Sequence, residues 1–414
     1  MDLISQYKGL RRENYILAFG RLVTSLGSMV WPMLTLILSQ KMGVGAKEIS
    51  WLLAASMILM APAVYVGGKI ADHTDKKMTI IILDLISVVC YMTCAFIPMS
   101  WLSIFLMFIG ALGQNMENPA YSALTADITL TADRDKAYAV QYLCANLGLV
   151  LAPTLAGLLF VHYLWVVFLL NGTSILCSTL LIFFQIKDYT PVCETTEQAA
   201  YQKERHDASI WEVLKDNKVV LAFLIVMSGY YSIYQMYTYL MPLDMAAMHG
   251  DSGALIFGSV TSINCIVVVL FTPFITRLFG SRPEPDRVIT GVVLMVSGFA
   301  LFTLFKGHIP MYYFSMIVLT WGEIFVLTAE SAYLSRRVPS THRGQINGVL
   351  TVIRTIMVST IQLIAGAVYE AHGSMSAWLT VLAAGAGLIL LAVVSRNRDR
   401  SEYPRLYEKN MEVQ

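Results

Sequence analysis

Between two long apolar runs, the sequence reads Gly68-Lys69-Ile70-Ala71-Asp72-His73-Thr74-Asp75-Lys76-Lys77. The run that leads into this stretch covers residues 51–71, and the run that follows it covers 78–98. Each run is long enough to cross the roughly 30 Å of hydrocarbon in a bilayer as an α-helix. The charged stretch therefore indicates a tight connector between two transmembrane helices.

The same alternation of apolar runs and polar connectors continues along the whole chain. Spans one to twelve cover residues 15–40, 51–71, 78–98, 101–126, 137–161, 164–186, 217–243, 254–276, 287–306, 309–335, 344–370 and 374–395. Only 14% of the 414 residues are charged, against about a quarter in soluble domains. We predict an all-α integral membrane protein with an N-terminal six-helix bundle at 1–186, a cytoplasmic linker at 187–216 and a C-terminal six-helix bundle with a cytoplasmic tail at 217–414.

Positive charges are distributed unevenly between alternate connectors. Twenty-four of the 29 Lys and Arg residues lie on one side, three (Lys41, Lys47 and Lys306) lie on the other, and Arg21 and Arg354 lie inside spans. The positive-inside rule then places both termini in the cytoplasm. We expect a monomer in a cell membrane, and the compact loops favour a bacterial inner membrane. The net charge of +1 gives no support to nucleic-acid binding.

The two halves of the chain share a weak internal repeat in the same orientation. Ser122 and Arg134 in the first half recur as Ser331 and Arg343, both at an offset of 209 residues. This offset also superposes spans four and five on spans ten and eleven. Parallel repeats of this kind imply a pseudo-two-fold axis along the membrane normal, a substrate site between the halves, and alternating access by rocking.

The stretch 68–77 resembles the cytoplasmic loop signature of the major facilitator superfamily, G-x-L-a-D-r-x-G-r-K. It matches at Gly68, Ala71, Asp72, Lys76 and Lys77, and it departs at His73 and Asp75. The resemblance implies that this loop, together with Arg134, holds an inward gate closed. Alternatively, its cations only fix the orientation of the chain in the membrane.

Spans five and ten resemble one branch of that superfamily more closely. Gly148, Pro153 and Gly157 in span five are similar to the G-x-x-x-G-P-x-x-G-G signature of proton-coupled antiporters. Span ten carries the pair Gly322-Glu323, as multidrug members of the drug:proton antiporter branch do. The resemblance implies proton-driven export, although Pro153 and its neighbours could equally form a packing kink.

Ionisable residues within the spans are candidate functional groups because burying charge in hydrocarbon is costly. These residues are Arg21, Asp84, Glu117, Glu323, Glu330 and Arg354. By depth, Arg21 can pair with Asp84 or Glu117, and Arg354 can pair with Glu330. We expect the four carboxylates to be candidates for proton coupling, although for Arg21, Asp84 and Glu117 a structural network is an equal alternative.

Glu323 is the candidate that remains after this pairing. It lies near the middle of span ten, where no cation is expected at its depth. Glu330 lies seven residues further on, on the same helix face and about 10 Å nearer the cytoplasm. We expect a proton path from Glu323 to Glu330, with the proton as coupling ion and no cofactor or metal. Alternatively, Glu323 stays protonated and hydrogen-bonds a neighbouring helix.

Polar and aromatic residues inside the spans predict a substrate cavity. On span seven, Tyr230, Tyr234 and Tyr237 share a helix face, and such rings bind flat, apolar or cationic compounds. Tyr237 and Tyr239 could instead anchor the helix at the membrane interface. The other candidate cavity residues are Gln114, Asn115, Asn118, Tyr142, Asn146 and Trp321.

Together these features predict a secondary transporter and not an enzyme, because the spans hold no nucleophile–base or metal-ligating set. We expect a proton-coupled antiporter that exports small amphipathic or drug-like compounds by alternating access. The alternatives are a transporter of one metabolite or lipid-linked solute, by antiport or symport, and a receptor-like or scaffold membrane protein.

Overall fold

The computed structural model describes residues 9–130, 133–186, 217–280, 282–338 and 343–408. The predicted linker at 187–216 and the last residues of the tail lie outside this part of the chain. Every regular element within the described residues is a helix.

The first six spans form the N-terminal group of helices. Their bounds are Arg12–Gly27, Leu34–Leu36 and the π-helical turn Ile37–Lys41 for span one, Ala46–His73 for span two, Lys76–Phe96 for span three, Trp101–Asp127 for span four, Arg134–Leu159 for span five and Leu164–Gln185 for span six.

The remaining spans follow after residue 217. Span seven consists of Lys218–Tyr234 and Met236–His249, and a 3₁₀ turn at Gly250–Ser252 leads into span eight. Spans eight, nine and ten are Gly253–Phe279, Glu284–Leu304 and Ile309–Arg337. Spans eleven and twelve run together as Arg343–Glu402, and a short helix, Pro404–Glu408, follows them.

Eight helical segments among the described residues are long and apolar enough to cross a membrane. Two of them, Lys218–Phe279 and Ile346–Glu402, each contain two predicted spans. Span one falls outside the eight because it is broken, and span four because the polar run at 114–118 lowers its hydropathy. The all-α membrane fold is confirmed, and twelve crossings stay a prediction.

Span one is not the single helix that its apolar run predicts. Its first helix ends at Gly27, and a non-helical stretch containing Pro32 separates it from Leu34. The side-chain carbonyl of Asn171, on span six, accepts hydrogen bonds from the backbone nitrogens of Met29 at 3.1 Å and Val30 at 3.3 Å. A broken helix at membrane depth needs such partners because lipid offers none.

Spans eleven and twelve are separated by one residue with a backbone that few side chains tolerate. Gly373 has φ of 79° and ψ of 174° within the long helical stretch. Only glycine adopts this conformation readily, because it lacks a Cβ. The break falls where the sequence predicts the connector between the two spans.

The chain divides into two compact units. The first contains Met1–Val44, Leu59–Thr195 and Met245–Ile266, and the second contains Gly45–Ile58, Thr196–Asp244 and Val267–Gln414. These units assign parts of spans two and eight differently from the six-plus-six division expected from the sequence. That division stays a prediction.

The helices pack in a similar way in each unit. In the first unit span three packs on spans four and six, and span one packs on spans five and six. In the second unit span nine packs on span ten and on the stretch that forms spans eleven and twelve, and span seven packs on that same stretch. An offset of 209 residues relates these two sets of helix pairs.

Candidate functional site

Glu323 of span ten faces the tyrosines of span seven. The Glu323 side chain is partly buried and lies close enough to Tyr230 and Tyr234 to interact with both electrostatically. A carboxylate in this position has phenol hydroxyls nearby that can either donate or accept a hydrogen bond.

Glu330 lies seven residues further along span ten than Glu323 and forms an ion pair with Arg354. Nitrogen Nη2 of Arg354 lies 3.0 Å from Oε1 of Glu330, so the pair expected from depth is present. The guanidinium carbon of Arg354 also lies 3.6 Å from the ring centroid of Tyr231. Arg354 thus contacts a carboxylate and an aromatic face together.

The predicted cavity tyrosines form one continuous aromatic cluster. Tyr230 stacks on Tyr234 with ring centroids 5.9 Å apart, and Tyr234 meets Tyr237 edge-on at 5.0 Å. Tyr230 also meets Tyr231 edge-on at 5.5 Å. Tyr230 is only 1% exposed, whereas Tyr234 and Tyr237 keep part of their surface open. The cluster therefore has a buried end and an accessible end.

In the first unit, Arg21 contacts three residues of span four. It lies 3.4 Å from Glu117, donates to Asn118 at 3.1 Å, and covers the ring of Tyr121 at 3.6 Å. The Tyr121 hydroxyl donates in turn to the backbone carbonyl of Leu17. Of the two carboxylates that depth allowed, Glu117 is the one in direct contact with Arg21.

Asp84 of span three lies in the same region but has a different direct partner. Its Oδ2 accepts a hydrogen bond of 2.8 Å from the hydroxyl of Thr179 on span six. Asp84 is 6% exposed and Glu117 is 4% exposed, so both predicted coupling carboxylates of this unit are buried.

The other predicted cavity residues are spread over spans four, five and ten. Asn115 donates to the carbonyl of Ala111 on its own helix, and Asn146 donates to the carbonyl of Tyr142. Gln114 is partly buried, while Tyr142 and Asn118 are exposed. Trp321 packs against Phe271 at 5.8 Å, and its buried indole nitrogen has no hydrogen-bond partner in the described residues.

The charged connector after span two is organised by the start of span three. Asp75 caps this helix by accepting from the backbone nitrogen of Met78 at 2.8 Å, so Asp75, which departs from the family signature, has a clear structural role. Lys76 forms a 2.5 Å ion pair with Asp127 at the end of span four. Lys77 donates to the carbonyl of Phe183 at the end of span six.

The remaining residues of this connector lie near its ends. Asp72 is exposed in the last turn of span two and has no ion pair with any described residue. Arg134 donates a long hydrogen bond to the carbonyl of Ala126. At Gly68 an added Cβ would meet only Pro119 at 3.9 Å, but at Gly67 it would lie 2.8 Å from the Cα of Met116. The close approach of spans two and four therefore needs Gly67.

The glycines of the span-five motif allow close helix packing. An added Cβ at Gly148 would lie 2.6 Å from the carbonyl of Leu22 on span one, and one at Gly157 would lie 2.5 Å from the carbonyl of Ala254 on span eight. The backbone carbonyl of Pro153 lies against Gly258 of span eight. The motif therefore brings helices together as well as bending one.

Three buried carboxylates, Asp244, Glu284 and Asp399, were not predicted because they lie just outside the predicted spans. Asp244, at 1% exposure, pairs with Lys306 at 2.8 Å and accepts from the indole of Trp378 at 2.6 Å. Asp399, also 1% exposed, accepts two hydrogen bonds from Arg337 and one from Tyr407.

Asp399, Arg337 and Tyr407 form a cluster that joins the long helix Arg343–Glu402 to the short helix Pro404–Glu408. Arg337 has a fully buried side chain and also pairs with Glu284 at 3.2 Å. Burial, together with the hydrogen bond to Asp399, raises the pKa of Tyr407 above its usual range, so its hydroxyl stays a donor. Residues 396–402, beyond the end of span twelve, are all polar, so the hydropathy pattern carries no signal of this buried face.

Carboxylates and arginines inside packed helical spans, together with broken helices, are typical of secondary transporters. A family model of the Major Facilitator Superfamily matches residues 17–361, and the chain belongs to that superfamily. It is therefore a multi-pass membrane transporter and not an enzyme.

Relatives of the chain include a cation/proton antiporter and a tetracycline resistance protein. It is 23% identical to a Na(+), Li(+), K(+)/H(+) antiporter of Planococcus maritimus over 77% of this chain and 80% of that protein. It is 25% identical to the class C tetracycline resistance protein of Escherichia coli over 84% of this chain and 85% of that protein. A crystal structure of the peptide transporter POT shares the fold, with a TM-score of 0.79, 14% identity and coverage of 98% of both chains.

Proposed function

We propose that the protein is a proton-coupled antiporter that exports small amphipathic compounds by alternating access. The observation that carries this proposal is that Glu323, midway along span ten, lies beside Tyr230 and Tyr234 of the aromatic cluster on span seven. A group that can bind a proton thus lies next to a surface that can bind an aromatic cation. Competition between proton and substrate at such a place gives antiport.

The relatives support export in preference to other directions of transport. Their names include a proton antiporter, a tetracycline resistance protein and multidrug resistance proteins. These names describe distant proteins, and the substrate class of this chain is our inference from its own tyrosines and carboxylates. We further propose a monomer in a bacterial inner membrane with both termini in the cytoplasm.

The proposed cycle uses the two carboxylates of span ten in turn. A proton from the outside reaches Glu323 and weakens binding of a cationic substrate, which leaves outward. The transporter then opens inward, and the proton leaves through Glu330 to the cytoplasm. Arg354, 3.0 Å from Glu330, supplies the positive charge beside this carboxylate.

Efflux of ethidium from bacterial cells tests this proposal. Cells that express the wild-type protein are loaded with ethidium, and efflux is followed with and without an uncoupler that removes the proton gradient. We expect gradient-dependent efflux by the wild type and its loss in Glu323→Gln. The matched control is Glu402→Gln, because Glu402 is exposed at the end of the long helix.

Protein amounts in the membrane are compared in every strain. Efflux that persists in Glu323→Gln would contradict the role of Glu323. If the wild type exports no ethidium while present in the membrane, the multidrug proposal is wrong, and the transporter serves a narrower metabolite or lipid-linked solute.

A further inference from the structure

Asp84 is a buried carboxyl group that the proposed cycle does not use. It lies on span three, is 6% exposed, and forms no ion pair with any described residue. Its hydrogen bond within the described part of the chain comes from Thr179 on span six, at 2.8 Å. An ionised carboxylate at membrane depth is costly unless a cation or several donors balance its charge. One neutral hydroxyl does not provide that balance.

The hydrogen atoms at Thr179 indicate which form of Asp84 the geometry favours. Oγ1 of Thr179 lies 2.8 Å from Oδ2 of Asp84 and 2.8 Å from the carbonyl oxygen of Ile175 on its own helix. If Asp84 is ionised, both of these oxygens are acceptors, and the hydroxyl has one hydrogen to give. If Oδ2 is protonated, Asp84 donates to Thr179 and Thr179 donates to Ile175. Each short contact is then a hydrogen bond.

The arginine of this region is already engaged by another carboxylate. Nη1 of Arg21 lies 3.4 Å from Oε2 of Glu117, and Nη2 donates to Asn118 at 3.1 Å. The guanidinium also covers the ring of Tyr121 at 3.6 Å. Glu117 is 4% exposed, so this buried carboxylate has the cation that Asp84 lacks.

The two carboxyl groups belong to one packed region around Gly20 of span one. A Cβ added at Gly20 would lie 2.9 Å from the hydroxyl of Ser178, the neighbour of Thr179, and 3.2 Å from the hydroxyl of Tyr121. Spans one, four and six therefore meet at this level. Span three, which carries Asp84, packs on spans four and six.

Charge counting in this region leaves one negative charge without a partner. The groups around Asp84 are Arg21 of span one, Glu117 and Tyr121 of span four, and the neutral hydroxyls of Ser178 and Thr179 on span six. Two ionised carboxylates and one guanidinium would leave a buried excess of one negative charge. One bound proton removes this excess, and the contacts favour Asp84 as its place, because Glu117 already has the guanidinium.

We propose that Asp84 is a proton-binding site in the first unit, separate from Glu323. The proton is held on Oδ2 and is donated in a hydrogen bond to the Thr179 hydroxyl, while Glu117 stays ionised beside Arg21. On release the O–H bond breaks, the electron pair stays on Oδ2, and the proton passes to water. This inference goes beyond the proposed function and does not depend on it, because the proposed cycle does not involve Asp84.

Infrared difference spectroscopy tests this site without knowledge of the substrate. The purified full-length protein is reconstituted in lipid, and spectra are recorded near neutral pH and at alkaline pH. In the wild type we expect the carbonyl band of a protonated carboxyl group near neutral pH and its reversible loss at alkaline pH. This band should be missing in Asp84→Asn, whose amide can still hydrogen-bond to Thr179, and it should be present in Glu117→Gln and in Glu323→Gln.

Substitutions of Thr179 examine the same band from its partner. Thr179→Val removes the acceptor of the Asp84 proton and should shift the band to higher frequency. Thr179→Ser keeps a hydroxyl and should leave the band close to its wild-type frequency. The matched control is Thr93→Val on span three, because the hydroxyl of Thr93 bonds to the carbonyl of Val89 on its own helix. The control should leave the band unchanged.

Three results would overturn the proposal. Identical carboxyl bands in the wild type and Asp84→Asn would show that Asp84 is ionised, and loss of the band in Glu117→Gln alone would place the proton on Glu117. An Asp84 band that persists at alkaline pH would show a carboxyl group that does not release its proton. None of these measurements uses ethidium, so failure here leaves the role of Glu323 intact, and absence of ethidium efflux leaves the Asp84 site intact.

Discussion

The guanidinium carbon of Arg354 lies 3.6 Å from the ring centroid of Tyr231, and Arg21 lies at the same distance from the ring of Tyr121. Each arginine also contacts a glutamate of its own unit, Glu330 or Glu117. Each unit therefore contains an arginine held between a glutamate and an aromatic ring. The planar guanidinium suits this position because it can stack and form hydrogen bonds at the same time.

Replacement of Arg354 should separate the contribution of its contact with the Tyr231 ring from that of its ion pair with Glu330. Arg354→Lys keeps the charge but loses the flat contact with Tyr231, and we expect a loss of about 0.5–1 kcal/mol of stability. Arg354→Gln also leaves Glu330 without its cation and should cost about 1.5–3 kcal/mol. Melting temperatures of the detergent-purified variants check this order. Equal stability of the two variants would argue against the ion pair.

Neighbouring glycines of span two should respond differently to the same substitution. Gly67→Ala places a methyl group against the backbone of Met116, whereas Gly68→Ala meets only Pro119 at 3.9 Å. We expect Gly67→Ala to cost about 1–3 kcal/mol by overpacking, and Gly68→Ala to change stability little. Thermal unfolding of the two proteins under identical conditions measures the difference. A larger effect of Gly68→Ala would show that the packing of spans two and four is described wrongly.

An ion pair between neighbouring helix ends recurs with its charges exchanged. Lys76 at the start of span three pairs with Asp127 at the end of span four, and Glu284 at the start of span nine pairs with Arg336 at the end of span ten. Asp127 and Arg336 differ by the repeat offset of 209. The repeat thus preserves the attraction between helix ends and not the sign of either charge.

Charge reversal tests this role of the connector. Lys76→Asp places two negative groups together, and so we expect reduced ethidium efflux and a loss of about 0.2–1 kcal/mol, because the pair is partly exposed. The double variant Lys76→Asp with Asp127→Lys should recover most of both. If the double variant is as impaired as the single one, the identity of Lys76, and not its pairing, is what transport requires.

Asp399 should be among the residues of the second unit most sensitive to neutralisation. Asp399→Asn leaves the fully buried Arg337 without its bidentate partner, and loss of one member of a buried pair costs about 3–5 kcal/mol. The matched control is Asp286→Asn, whose pair with Arg396 is about 30% exposed on each side and should contribute at most about 1 kcal/mol. Chemical denaturation of both variants measures their free energies of unfolding. Similar losses of stability in the two variants would contradict the role that we assign to Asp399.

Much of this arrangement could be predicted because its causes are local in the sequence. Apolar runs of membrane length gave the spans, and counting depth along them gave the Arg354–Glu330 pair. For Arg21, depth left both Asp84 and Glu117 open. The choice depends on how each helix is rotated about its axis, and that rotation is set by packing with its neighbours.

Other features depend on contacts between helices and left no local signal. The break in span one is stabilised by Asn171, a residue of span six that resembles any other amide in an apolar run. The approach of Tyr234 to Glu323 brings together residues that lie far apart in the chain. Asp244 reads as the start of a loop, although in the fold it is a buried partner of Lys306.

Proton movement driven by substrate tests the central claim most directly. Purified wild-type and Glu323→Gln proteins are reconstituted into liposomes that contain a pH-sensitive dye, and ethidium is added outside at equal pH on both sides. Our account predicts that ethidium entry drives protons out through the wild-type protein, and that Glu323→Gln moves no protons. Equal proton movement in Glu323→Gln, with both proteins incorporated to the same extent, would contradict it.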